Sequence, residues 1–134
     1  MYLIRMGVPE MLAFWETLCR KVKSGKCSAT ESKLYKKLGK TLYLLSVNPR
    51  HQGLESHEIS ALSNRFGARV WESYLENNTP SAGRLFWAYG PNRGEITVLG
   101  LEPHPNDKKT AYDRVTLSSM GKEIGRDNLS FEGR

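Results

Sequence analysis

Along the first half of the chain, apolar residues recur every three to four positions. Met11, Leu12, Phe14, Trp15, Leu18, Cys19 and Val22 follow the i, i+3, i+4, i+7 rule, which predicts a helix with one apolar face. Pro9 suits its first turn, where no backbone N–H is needed, and Lys23-Ser24-Gly25-Lys26 ends the run. A second helix begins at Ser28. Glu31 follows three residues later, so each side chain can satisfy the other's free backbone N–H in a capping box. Leu34, Tyr35, Leu38, Leu42 and Leu45 form its apolar face. Lys33, Lys36, Lys37 and Lys40 form a second stripe, which at about 100° per residue centres nearly opposite the leucines. Pro49 stops this helix. The short link predicts that the two helices pack as an antiparallel hairpin.

After Asn48-Pro49-Arg50-His51-Gln52-Gly53 the period turns from helical to extended. Residues 56–62 read as a short strand. ARVWESYL (68–75) is rich in strand formers. GRLFWAY (83–89) alternates, with Leu85, Trp87 and Tyr89 on one side and Arg84, Phe86 and Ala88 on the other. EITVLGL (95–101) is a mostly apolar strand suited to the centre of a sheet. The loop NNTPSA (77–82) and the turn GPNRG (90–94) separate the last three runs, and such short links favour antiparallel neighbours. The expected fold class is α+β: an N-terminal helical hairpin on one face of an antiparallel sheet of three to four strands. It occupies residues 1–117 as one domain. The polar, Gly-containing residues 118–134 form a tail, either a frayed terminus or a partner-binding arm.

Composition narrows the class. The 134 residues suffice for a single core, and 39% hydrophobic with 25% charged residues is ordinary for a soluble domain. No apolar run approaches a membrane span. MYLIRMGVPEM is too short and interrupted for a signal peptide, so the expected location is cytoplasmic, with no membrane partner. Cys19 and Cys27 lack CxxC spacing, and His51, His57 and His104 do not fall at ligand spacing with either, which points to no metal site. The net charge is +6, and residues 1–50 hold ten Lys and Arg against three Glu, a surplus of seven. That basic half attracts a phosphate backbone or an acidic protein segment. The lysine stripe fits a nucleic-acid contact, but with no aromatic residue interleaved it reads more simply as a solvated helix face.

The motifs of nucleotide hydrolysis, dinucleotide binding, zinc proteolysis and serine hydrolysis are absent. What remains is a set of polar groups where strands end: Glu72, Glu76, Arg84, and then His104, Asp107, Lys108, Lys109 and Tyr112 after the last strand. Antiparallel neighbours can gather these at one side of the sheet. Such a set suits attack on an RNA phosphodiester by its own 2′-OH, with no cofactor. His acts as base or acid near neutral pH. Arg and Lys hold the phosphate and its transition-state charge. Tyr stacks on a base or donates a proton. Each residue also has a plain structural role to fill: a rigid turn for His104 between prolines, an ordinary strand position for Arg84, packing for Tyr112, ion pairing for the acids.

NPRHQGL, VWESYLENN, GRLFWAYG, EITVLGL and the His-containing segment LGLEPHPNDKKTAY together resemble the RelE/ParE toxin superfamily of bacterial toxin–antitoxin systems, over about residues 9–117. The resemblance implies a helical hairpin followed by an antiparallel sheet. In members that cleave mRNA, an Arg opens the strand matching GRLFW, which is Arg84 here. One branch uses a His in a segment of the form GTHDxxY, matched in order by His104, Asp107 and Tyr112, with two prolines and further residues inserted. Other branches use Lys and Arg, which turns attention to Lys108 and Lys109. The implied function is a metal-independent endoribonuclease acting on mRNA at the ribosome, held in check by a cognate antitoxin. Other members poison DNA gyrase without cleaving RNA, so the alternative is a gyrase inhibitor or a degenerate toxin that only binds its antitoxin. A nucleic-acid-binding accessory protein without toxicity is a third possibility.

Overall fold

The computed structural model of the chain describes residues 1–75 and 83–102. Within them the order is β1 (Leu3–Met6), α1 (Glu10–Lys23), α2 (Ala29–Val47), a 3-10 turn (Gln52–Leu54), β2 (His57–Glu58), α3 (Ser60–Phe66), β3 (Trp71–Tyr74), β4 (Arg84–Tyr89) and β5 (Glu95–Glu102). The class is α+β, as expected. The sheet is larger than expected, with five strands in the order β1-β5-β4-β3-β2.

The hairpin forms where the apolar period places it. Ser28 Oγ accepts the Glu31 N–H at 3.0 Å and Glu31 Oε1 accepts the Ser28 N–H at 2.9 Å, completing the capping box. Met11 and Leu18 of α1 and Leu38 and Leu45 of α2 are buried, and Trp15 stacks on Tyr35 across the hairpin at 5.7 Å. Leu12 and Phe14, assigned to the apolar face, are instead exposed. They lie on its flanks, roughly 60–100° of helical rotation from the line of Met11, Leu18 and Val22.

Two departures correct the expected sheet. β1 was not anticipated, and it runs parallel to β5 with Ile4 opposite Ile96 and Met6 opposite Val98, so the sheet is mixed rather than antiparallel. A parallel partner needs a long crossover, and here the helical hairpin follows β1. The second correction is at 56–62, expected as a strand. Only His57–Glu58 is extended, and α3 follows with Ile59, Leu62 and Phe66 at helical spacing. Gly67 ends that helix at φ 90°, a left-handed position that favours glycine.

These elements make three layers. On the first face of the sheet, Leu85, Trp87, Ile96 and Val98 pack with the hairpin leucines and Trp71. On the second face, α3 sets Ile59 and Leu62 against Val70, Phe86, Ala88 and Leu99. Leu99 reaches that face through a bulge: Phe86 pairs with Gly100 and Trp87 with Val98, leaving Leu99 without an opposite residue.

Candidate functional site

In an antiparallel ladder, directly opposed residues share a face. Glu72 lies opposite His57 on one side and Phe86 on the other, while Arg84 lies opposite both Tyr74 and Glu102. Two adjacent rows on the second face therefore gather His57, Glu72, Tyr74, Arg84 and Glu102 at one end of the sheet. That end is where β3 finishes, β4 begins and β5 finishes.

Glu72 is the centre of the cluster. It is 1% exposed, yet it carries a carboxylate. A buried carboxylate needs compensation by charge and hydrogen bonds. Glu72 Oε1 lies 2.9 Å from His57 Nε2, and Oε2 accepts from Arg84 Nη1 at 3.3 Å. Arg84 is itself 3% exposed, and its guanidinium also sits 5.2 Å from the Phe86 ring centre. The second nitrogen of His57, Nδ1, is 2.8 Å from the Glu55 carbonyl oxygen. Both ring nitrogens thus lie within hydrogen-bond distance of an oxygen. Tyr74 packs 6.0 Å from the His57 ring. Partial burial raises its phenol above the ordinary value of 10.0, the nearby Glu72 and Glu55 charges raise it further, and Arg84 opposes them.

The position of His57 is fixed by its neighbours on the first face. Ser56 Oγ donates to the Pro49 carbonyl at 2.8 Å. Its proton is thereby used, so the 2.7 Å contact between Ser56 and Ser73 has Ser73 as donor. Ser73 Oγ in turn accepts the Trp87 Nε1–H at 2.8 Å. The polar thread runs Trp87 to Ser73 to Ser56 to Pro49, and it ties the residue before His57 to the middle of the sheet.

The sequence placed Glu72 and Arg84 among the candidates, and the fold brings them together. Glu76, His104, Asp107, Lys108, Lys109 and Tyr112 lie outside the described residues, as does the tail. His57 was missed. Nothing in its local sequence distinguishes it, because its partner, Glu72, lies well beyond it in the chain across a strand pairing that a two-residue strand makes. Among the described residues no group of three or more His, Cys, Asp and Glu is placed to hold a metal ion, and no helix is long and apolar enough to cross a membrane.

The lysine stripe is a separate surface. Lys33, Lys36 and Lys40 are exposed on α2, and Lys37 is partly buried. Tyr43, 63% exposed, continues the line one turn after Lys40. The leucines of α2 pack on the first face of the sheet, so the stripe and the Glu72 cluster lie on opposite sides of the molecule. Comparisons with family models, with curated proteins and with solved structures find no match to this chain.

Proposed function

We propose that the chain is a toxin of the RelE kind, a metal-independent endoribonuclease that cleaves mRNA at the ribosome and is neutralised by a cognate antitoxin protein. In this reading Arg84 holds the phosphate, His104 moves the proton, Lys108 and Lys109 offset the phosphorane charge, and Tyr112 stacks on a base. The attacking 2′-OH displaces the 5′ oxygen, leaving a 2′,3′-cyclic phosphate. The observation that carries the reading is the pairing of Arg84 with Glu102, the last described residue, from which His104 is two positions along the chain. A helical hairpin on a sheet is also the layout that the sequence resemblance implies. Incubating the purified chain with translating ribosomes and mapping the mRNA ends tests it. Cleavage that Arg84→Ala and His104→Ala abolish is expected, and intact mRNA refutes the reading.

A second reading is favoured by a different observation. Arg84 is buried against Glu72, while Lys33, Lys36 and Lys40 stand exposed on the far side. That arrangement suits a non-catalytic module that binds through the hairpin, either a DNA gyrase inhibitor or a degenerate toxin holding only its antitoxin. Replacing Lys33, Lys36, Lys37 and Lys40 by Glu then abolishes growth arrest while His104→Ala spares it, and a gyrase supercoiling assay separates the two targets.

A further inference from the structure

We propose that Arg50, held over the Trp71–Tyr89 aromatic cluster, is an anion site whose ligand is a phosphate group. The cluster lies on the first face of the sheet, where Trp71 begins β3 and Tyr89 ends β4. Arg84 begins β4 at the other end, so the proposal does not rest on the nuclease reading. The rings of Trp71, Trp87 and Tyr89 pack with centres 5.1–6.2 Å apart, and Tyr2 joins Tyr89 at 5.7 Å. Arg50 lies over them, its guanidinium carbon 4.3 Å from the Trp71 ring centre. The same side chain hydrogen-bonds the Tyr89 phenol and so opposes the upward shift that burial gives it. The backbone around Arg50 is pinned too. Asn48 Oδ1 accepts the Arg50 N–H at 3.1 Å, and the Pro49 carbonyl accepts the Ser56 hydroxyl at 2.8 Å. The cation is in place before a ligand arrives, which reduces the ordering that binding costs.

A ligand can reach Arg50, because the residue is exposed. Its charge is also unneutralised: among the described residues no carboxylate pairs with it. Glu58, opposite Trp71 in the ladder, instead contacts Arg69 at 3.9 Å and Ser63 at 3.0 Å. The Tyr89 oxygen accepts from Arg50, which leaves its own proton to give. The Trp71 indole N–H is buried with no acceptor. The cluster is thus rich in donors and short of acceptors, and an anion completes it. A phosphate has oxygens enough to accept from the guanidinium fork and the phenol together. Two sources carry that group, a nucleic-acid strand and free phosphate.

The test follows the sequentially assigned Trp71 indole N–H resonance of the full chain by NMR. Inorganic phosphate should shift it saturably, and acetate at equal ionic strength should not. Arg50→Gln should weaken phosphate binding about tenfold, and Tyr89→Phe about threefold. Arg50→Lys keeps the charge without the fork and should also lose most of the affinity. Against a single-stranded DNA oligonucleotide, Arg50→Gln should reduce the slope of log K with log salt by about 0.7, the share of one phosphate contact. A reduced slope assigns the site to a nucleic-acid strand, and an unchanged slope beside weakened phosphate binding assigns it to free phosphate. Thermal melting verifies that each variant is folded, and the parent titration needs no variant. The proposal is overturned if neither phosphate nor the oligonucleotide moves the Trp71 resonance, which leaves Arg50 as packing over the indole. It is overturned too if acetate acts as phosphate does, which makes the site a seat for protein carboxylates, or if Arg50→Gln or Arg50→Lys binds phosphate like the parent. A chain that binds phosphate at Arg50 yet leaves mRNA intact sinks the nuclease reading alone.

Discussion

Replacing Ser73 by Ala tests whether the polar thread beneath the candidate site holds the sheet together. Ser73 and Trp87 are both fully buried, and Ser73 Oγ accepts the indole N–H at 2.8 Å. Removing the hydroxyl strands that N–H inside the core, at a cost of about 1–3 kcal/mol. The bond that Ser73 donates to Ser56 goes as well, for roughly another 1 kcal/mol. Together these give a loss of about 2–4 kcal/mol, which for a domain of this size lowers the melting temperature by roughly 10 °C. Trp71, stacked on Trp87 at 5.7 Å, offers no hydrogen-bond acceptor to replace the hydroxyl.

The contribution of the stranded N–H can be isolated. In a Trp87→Phe background there is no indole N–H to satisfy, so adding Ser73→Ala should cost only about 1 kcal/mol, a coupling of about 1–3 kcal/mol. Urea denaturation followed by far-UV circular dichroism measures all four chains without relying on the substituted tryptophan. A Ser73→Ala loss below about 0.5 kcal/mol, or an equal loss in both backgrounds, would refute the directional thread. The consequence also reaches the site. Ser56 precedes His57, so loosening Ser56 should broaden the His57 imidazole resonances in NMR spectra.

Two further outcomes follow from local physics. Ser28→Ala should destabilise the chain by about 1 kcal/mol in thermal melts by breaking the capping box at the start of α2. Glu31 is held below its ordinary value of 4.5 by the Ser28 backbone N–H and then by Lys21; a depressed carboxylate stabilises above its unfolded value, so the Ser28–Glu31 contribution should fade as pH falls below about 4.5 and should be absent from the pH profile of Glu31→Gln. Tyr89 is raised above 10.0 chiefly by burial, with Arg50 opposing the shift. Its folded form stays protonated where the unfolded chain ionises, so stability is fully present below pH 10 and declines as pH rises through the folded value. Ultraviolet titration should show Tyr89 ionising late, and Tyr89→Phe should flatten the alkaline fall in urea midpoint.

Much of the scaffold was legible in the chain. Both helices of the hairpin, the Ser28–Glu31 box and the three long strands follow from periods of 3.6 and 2 written within ten to twenty residues. The helical spacing of Ile59, Leu62 and Phe66 before Gly67 marks α3, but taking the chain as extended from residue 54 on makes 56–62 a strand. Arg84 was a candidate from its place at the head of a strand. Its burial was not foreseeable there, since an arginine at a strand end is ordinarily solvated.

By itself, then, the sequence determined the elements whose signals are local: amphipathic helices, a helix cap, alternating strands, turns and the basic first half. Tertiary structure decided what depends on partners far along the chain. β1 is a strand because β5 lies beside it, with Leu3 opposite Glu95 at the other end of the described chain. His57 meets Glu72 only because a two-residue strand pairs with β3, and Arg84 meets Glu72 only because β4 folds back in register. Local preferences act over a few residues. A buried carboxylate shared by a histidine and an arginine arises from three separate strands, and only their packing brings it into being.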